Sequence, residues 1–265
     1  MNIYWREFRA HMKSLLIGSG GMIFLVIGGM AKYSAGAATG PGSMNDLMKE
    51  MPVSLQNLFG VGVFDLSSAL EFYAVMNIYI LLLMGIQAVM LGSQIISKQE
   101  RDRTAEFLLV KPVSRSQILT SKLFAALTIL IVFWLVTAGA SYAILANYAK
   151  PAEFQGGLMK LMLAAAAVQL LFVSLGAFFA GVMKRSKKST AAGTATLLAM
   201  FLFSVTADIL KEADVLKYFS FFKYYDAKDI LKRGYSPVYP VISVILIIAM
   251  IWGAYHAYKR RDMKI

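Results

Sequence analysis

Apolar residues in this chain collect in six long runs, separated by short stretches where Lys, Arg, Gly and Pro gather. The runs span residues 15–35, 72–96, 123–147, 158–183, 190–210 and 238–258. Each reaches the roughly 20 residues that a helix needs to cross a ~30 Å hydrocarbon core. None alternates polar and apolar positions as a membrane-barrel strand must, so helices are the only spanning element that fits. The pattern predicts an all-α membrane protein with six transmembrane helices in a single domain, residues 1–265.

The stretches between the runs differ in character. In residues 1–14, Trp5, Phe8, Met12 and Leu15 recur at helical spacing while Arg6, Arg9 and Lys13 take other faces. This segment reads as an interfacial helix entering the first span, or as a plain basic flank. The first run has basic residues before it and small residues after it, as a signal peptide has, but its length favours an uncleaved anchor. Residues 36–71 are broken by Gly40, Pro41 and Gly42, and residues 53–64 are too short to span and too apolar for a free loop. They are expected along the outer face or packed over the bundle. Pro151, Gly156 and Gly157 mark a short turn over residues 149–157. Residues 211–237 mix Phe219, Phe221, Phe222, Tyr224 and Tyr225 with Lys217, Lys223, Asp226 and Lys228. Three readings fit this external aromatic segment: an aromatic belt at headgroup level, a short interfacial helix before the last span, or a re-entrant element.

Composition agrees with a membrane protein. The chain is 58% hydrophobic and 16% charged, with mean hydropathy +0.61, where a soluble domain carries about 25% charge. Residues 1–14, 97–122, 184–189 and 259–265 hold 17 of the 27 Lys and Arg but only five of the 15 acids. The net charge of +12 therefore sits on one side, which places those loops and both termini in the cytoplasm. The excess of positive charge is topology, not a nucleic-acid footprint. There is no Cys, so there are no disulfides and no thiolate metal sites.

Catalytic patterns are missing. No G-x-x-x-x-G-K-[ST] phosphate loop occurs, and His11 and His256 lie near opposite termini with no H-E-x-x-H motif. The chain is expected not to be an enzyme and to hold no metal or cofactor of its own. The 16 Met read as adaptable packing and not as a metal relay. Asn77, Gln87, Gln169, Thr194, Thr196, Ser204 and Thr206 are the main polar groups inside the runs, and they need partners on neighbouring helices or a cavity. Asn77, Gln87 and Gln169 are candidate cavity-lining residues along a dimer axis. Asp208, near the end of the fifth run, is expected to pair with Lys211. Small-xxx-small pairs at Gly176/Ala180, Ala177/Gly181 and Ala191/Ala195 suggest close packing that involves the fourth and fifth helices.

Residues 97–122 carry the strongest functional signal. A charged stretch (Glu100, Arg101, Asp102, Arg103, Thr104, Glu106) leads into Phe107, Leu108, Leu109 and Val110, then Lys111, Pro112, Val113, Ser114 and Arg115. This predicts a short amphipathic helix stopped near Lys111 by Pro112, with a charged face and a small apolar knob. Ser114 can cap the next helix, which runs through Lys122 into the third span. A lever joined directly to two membrane helices has the layout of a coupling segment, although spacing alone also allows a plain charged loop.

The stretch resembles the signature of ABC-2 permeases, the membrane subunits of ATP-binding-cassette exporters. Glu100, Thr104, Glu106, Leu108, Leu109, Pro112, Val113, Ser114, Arg115 and Lys122 match it, while Arg103 replaces the usual Gly. The Tyr225-Asp-x-x-Asp-Ile-Leu stretch and the Arg260-Arg-Asp262 ending are also similar to the family. The resemblance implies a permease in a bacterial plasma membrane that exports a hydrophobic or amphipathic substrate such as a lipid, a peptide antibiotic or a drug. It further implies separate ABC ATPase subunits that hold ATP and Mg, and a second permease copy or homologue. Phe107, Leu108 and Leu109 would then fill a groove on the ATPase, with Glu100, Arg103, Glu106 and Arg115 as rim charges. The alternative is a membrane-anchored regulatory or structural subunit that binds a cytoplasmic partner without transport.

Overall fold

The computed structural model describes residues 3–36, 50, 64–101, 114–183, 185–209 and 214–260. Among them are six helices long and apolar enough to cross a membrane: α1 (Ile3–Gly36), α2 (Ala69–Arg101), α3 (Arg115–Leu145), α4 (Pro151–Val182), α5 (Ser186–Ile209) and α8 (Val238–Arg260). Between α5 and α8 lie a 3-10 turn over Asp214–Phe219 and two short helices, α6 (Phe221–Tyr224) and α7 (Ala227–Lys232). No strand forms among the described residues. The amphipathic stretch expected before Pro112 and the apolar stretch at 53–63 lie outside the described residues.

Local chemistry sets the helix ends. Ser114 accepts a hydrogen bond from the Gln117 N–H while the Gln117 side chain accepts from the Ser114 N–H, a complete capping box at the start of α3. Pro151 occupies the first turn of α4, where its missing N–H leaves no bond unmade. Asp226 caps α7 through the Lys228 N–H. Gly234, at φ +82°, ends α7 in the left-handed region that a side chain would strain.

The helices extend beyond the apolar runs, chiefly at α1, whose 34 residues correspond to about 51 Å at 1.5 Å per residue. Residues 3–14 continue into the first span without a break. One face of α1 is buried along its length at Glu7, His11, Leu15, Ser19, Met22, Val26 and Met30, and it packs on α3.

The bundle centres on α4. Within its span 72% of the residues are buried, against 11% in α8. Helices α2 and α4 cross where glycine faces glycine, since a Cβ on Gly92 would lie 2.3 Å from the Val173 carbonyl oxygen and one on Gly176 would lie 2.3 Å from that of Val89. Without a hydrophobic drive between helices in lipid, such backbone approach is how membrane helices gain packing energy. The small-residue pairs thus mark the right helix but only part of its surroundings. Gly176 meets α2, Gly181 meets Ala254 of α8, and Gly193 of α5 meets Val89 of α2. The outward faces of α1 (Leu16, Ile17, Phe24) and α8 (Ile245, Ile248, Trp252) stay apolar and exposed, as lipid contact requires.

Most of the aromatic residues named before α8 turn inward and do not form a belt: Phe221, Phe222, Tyr224 and Tyr225 are buried, while Phe219 stays exposed. Phe221 and Phe222 pack on Phe172 of α4, with ring centroids 5.3 Å apart in each pair, and Phe222 meets Phe201 of α5 edge-on. The Ser220 hydroxyl donates to the Met200 carbonyl at 2.7 Å. Phe172, Met200 and Phe201 all lie well inside their spans, so α6 and α7 form a cap inserted into one end of the bundle.

Candidate functional site

Buried charged side chains are engaged near both ends of α2. At the first, where α2 leads into the loop before α3, the described residues include the two loop anchors Ser114 and Arg115. The Arg115 guanidinium donates to the Lys259 carbonyl at 3.1 Å, one of the last carbonyls of α8, where positive charge is favoured by the helix dipole. Lys122 is fully buried on α3, and its ammonium donates to the Ile96 carbonyl of α2 at 3.0 Å. A buried ammonium bonded to a backbone carbonyl fixes the two helices that flank the loop relative to each other. Arg103, Thr104, Glu106, Phe107, Leu108, Leu109, Pro112 and Val113 lie outside the described residues; Glu100 lies in the last turn of α2, with only its backbone described.

The second place is a cleft at the other end of α2, walled by α2, α5 and the cap. Asn77, Ser204, Asp208, Lys223, Asp226 and Lys228 supply its polar side. The Lys223 ammonium donates to Asp208 at 2.7 Å and also to Asp226, and Lys228 reaches Asp208 at 3.3 Å. Asp208 therefore pairs with cap lysines, and the expected partner Lys211 lies outside the described residues. Two lysines and two aspartates leave this network formally neutral. Lys232 adds a bridge at 2.9 Å to Glu71 at the start of α2.

Lys223 and Asp226 lie outside the six spans, and their charges hold each other in place. Burial pushes the Asp226 carboxyl up, but the Lys223 ammonium and the Lys228 N–H outweigh it and keep the carboxyl below its ordinary value. For Lys223 burial pushes down, and Asp226 and Asp208 together raise it above its ordinary value.

Of the three candidate cavity residues, only Asn77 lines this cleft. Asn77 is 1% exposed, lines the cleft, and has neither its Oδ1 nor its Nδ2 hydrogen bonded. Gln87 packs beside Gly18 of α1, and Gln169 is buried on α4 with its Nε2 unbonded; neither lines this cleft. Among the described residues no group of three or more His, Asp or Glu is arranged to hold a metal ion.

Sequence reasoning missed the ion-pair network, the Lys122 staple and the glycine crossing. The network's signal was the charge density within 223–228, beside an otherwise lone Asp208 in the spans. The staple's signal was a lysine entering an apolar run with no acid in reach along its own helix.

A family model described as an ABC-2 family transporter protein matches residues 1–263. The chain matches no curated protein.

Proposed function

The chain belongs to the ABC-2 transporter family and is a permease component of an ABC transporter, and we propose that it exports a hydrophobic or amphipathic substrate, driven by ATP hydrolysis on separate ATPase subunits. In this reading two permeases pair with two ATPases in a bacterial plasma membrane, and both termini face the cytoplasm. The concentration of Lys and Arg in the loops at the α2–α3 end supports that orientation.

Closure of the ATPases would push on residues 100–115. Phe107, Leu108 and Leu109 would seat in an ATPase groove, with Glu100, Arg103, Glu106 and Arg115 at its rim, since desolvated apolar anchors carry most interface energy. The observation that carries this reading is the Lys122–Ile96 bond. It ties together the two helices entering and leaving the loop, so a force on the loop moves α2 and α3 as a pair. Arg115 passes the same force to α8 through Lys259. At the far end α2 borders the cap, whose insertion between α4 and α5 supports a re-entrant element that closes the outer mouth. Motion of α2 against α5 would then open it.

The test is purification of the tagged chain from its native membrane in mild detergent. A stoichiometric ATPase subunit is expected with wild type and with Arg101→Ala, and is lost with Leu108→Asp. Normal recovery of the ATPase with Leu108→Asp contradicts the assignment of the loop.

A further inference from the structure

We propose that the cleft between α2, α5 and the cap binds a small neutral hydrogen-bonding group, a primary carboxamide or a hydroxyl, attached to an apolar body. This rests on the transport reading above and deepens it, because the bound group would be the polar end of the cargo.

Asn77 is the anchor. Its amide is buried two turns inside α2, and both its carbonyl oxygen and its NH₂ lack partners. A buried amide left unmatched is destabilising, and native structures rarely retain one without a reason. Asn77 is one of the residues that line the cleft, and its unpaired donor and acceptor, shielded from water by the wall around them, are unmet hydrogen-bonding groups at that wall.

Charge and size select the ligand. Lys223 is already paired with both Asp208 and Asp226, and Lys228 with Asp208, so the charged wall is neutral and internally satisfied. An incoming ion would find no unmatched countercharge, whereas a neutral group that both donates and accepts matches Asn77 atom for atom. The free volume of about 40 Å³ holds only a few heavy atoms, given roughly 10–15 Å³ for one water on the same measure. A carboxamide or a hydroxyl-bearing carbon fits; a phosphocholine does not. Phe64, Ile78, Leu81 and Phe222 complete the wall and would receive the first carbons of an apolar tail.

The probe is oleamide carrying a diazirine on the tail carbons next to the amide. It is added to the full chain in nanodiscs of phosphatidylcholine, a lipid with no free hydroxyl or amide. Light is expected to label peptides from the start of α2 or from the cap. Unlabelled oleamide and oleyl alcohol should compete, while oleic acid and oleylamine should not. Asn77→Leu should lower labelling about tenfold, the loss expected for two neutral hydrogen bonds, with the thermal midpoint of the empty protein unchanged or raised. If that variant fails to fold, competition on the wild-type chain decides. Equal labelling of wild type and Asn77→Leu, equal competition by the charged amphiphiles, or no labelling at this end overturns the proposal. The measurement uses no ATPase, so a negative result leaves the ATPase-recovery test untouched, and loss of that test leaves this one readable.

Discussion

Replacing Gly176 with alanine should force apart the two helices at the centre of the bundle. The added methyl would lie 2.3 Å from the Val89 carbonyl oxygen and 2.9 Å from the Ser93 nitrogen, both backbone atoms that cannot rotate away. A carbon–oxygen contact needs about 3.3 Å, so α2 and α4 must separate by about 1 Å. Overpacking of this kind costs about 1–3 kcal/mol, and the higher helix propensity of alanine returns up to about 1 kcal/mol. The expected net destabilisation is about 1–2 kcal/mol. Gly92→Ala makes the reciprocal clash with Val173, 2.3 Å from its oxygen, at the same crossing. One separation relieves both methyls, so the double variant should lose clearly less than the sum of the single losses. Gly20→Ala and Gly139→Ala are the controls, because nothing lies within 4 Å of a Cβ there. The assay is unfolding free energy in mixed micelles titrated with dodecyl sulfate, followed by circular dichroism. If Gly176→Ala is as stable as Gly20→Ala, or the two core substitutions add fully, the glycine crossing is not what holds α2 to α4.

Other consequences follow from the two ends of α2. Lys122→Met keeps most of the side-chain volume but removes the charge-assisted bond to the Ile96 carbonyl; a loss of about 1.5–3 kcal/mol is expected in the same titration, together with ATP hydrolysis no longer stimulated by substrate in the reconstituted complex. Lys223→Met leaves Asp208 and Asp226 facing each other without the ammonium between them, and should lower stability by about 3 kcal/mol and expose α6 and α7 to hydrogen exchange. The pH dependence of that contact has a definite sign. Because the Asp226 carboxyl is lowered, its contribution is present above the ordinary carboxylate range and is lost as pH falls through its folded value. Because Lys223 is raised, its contribution is present below the ordinary lysine range and is lost as pH rises through its folded value. Protection of the cap should therefore be flat from about pH 5 to 9 and collapse only in stronger acid or base.

Much of this architecture was legible in the sequence because the bilayer imposes a length and a polarity that sequence alone displays. The six runs became six helices, and Ser114 caps α3 as its place before the third run implied. Asn77 was conspicuous for the same reason, as an amide in an apolar run. Helix neighbours were harder to read. Gly176 advertises a close contact, but nothing along the chain says that Gly92, 84 residues earlier, is its partner. The cap was ambiguous because phenylalanine and tyrosine among lysines look alike at a headgroup surface and inside a bundle. Only the depth of Phe172 and Phe201 separates the two. Asp208 has partners 15 and 20 residues on, across a segment that turns back, and linear distance along the chain does not point to them.

The absence of native cysteine makes the central claim directly measurable. A single Leu108→Cys substitution, treated in native membranes with a short lysine–thiol cross-linker, should yield a covalent adduct of this chain with an ATPase subunit, identified by mass spectrometry. Trp252→Cys, on the exposed face of α8, should give none. An adduct with any other protein, or none from Leu108→Cys under conditions where the ATPase co-purifies, would contradict the account.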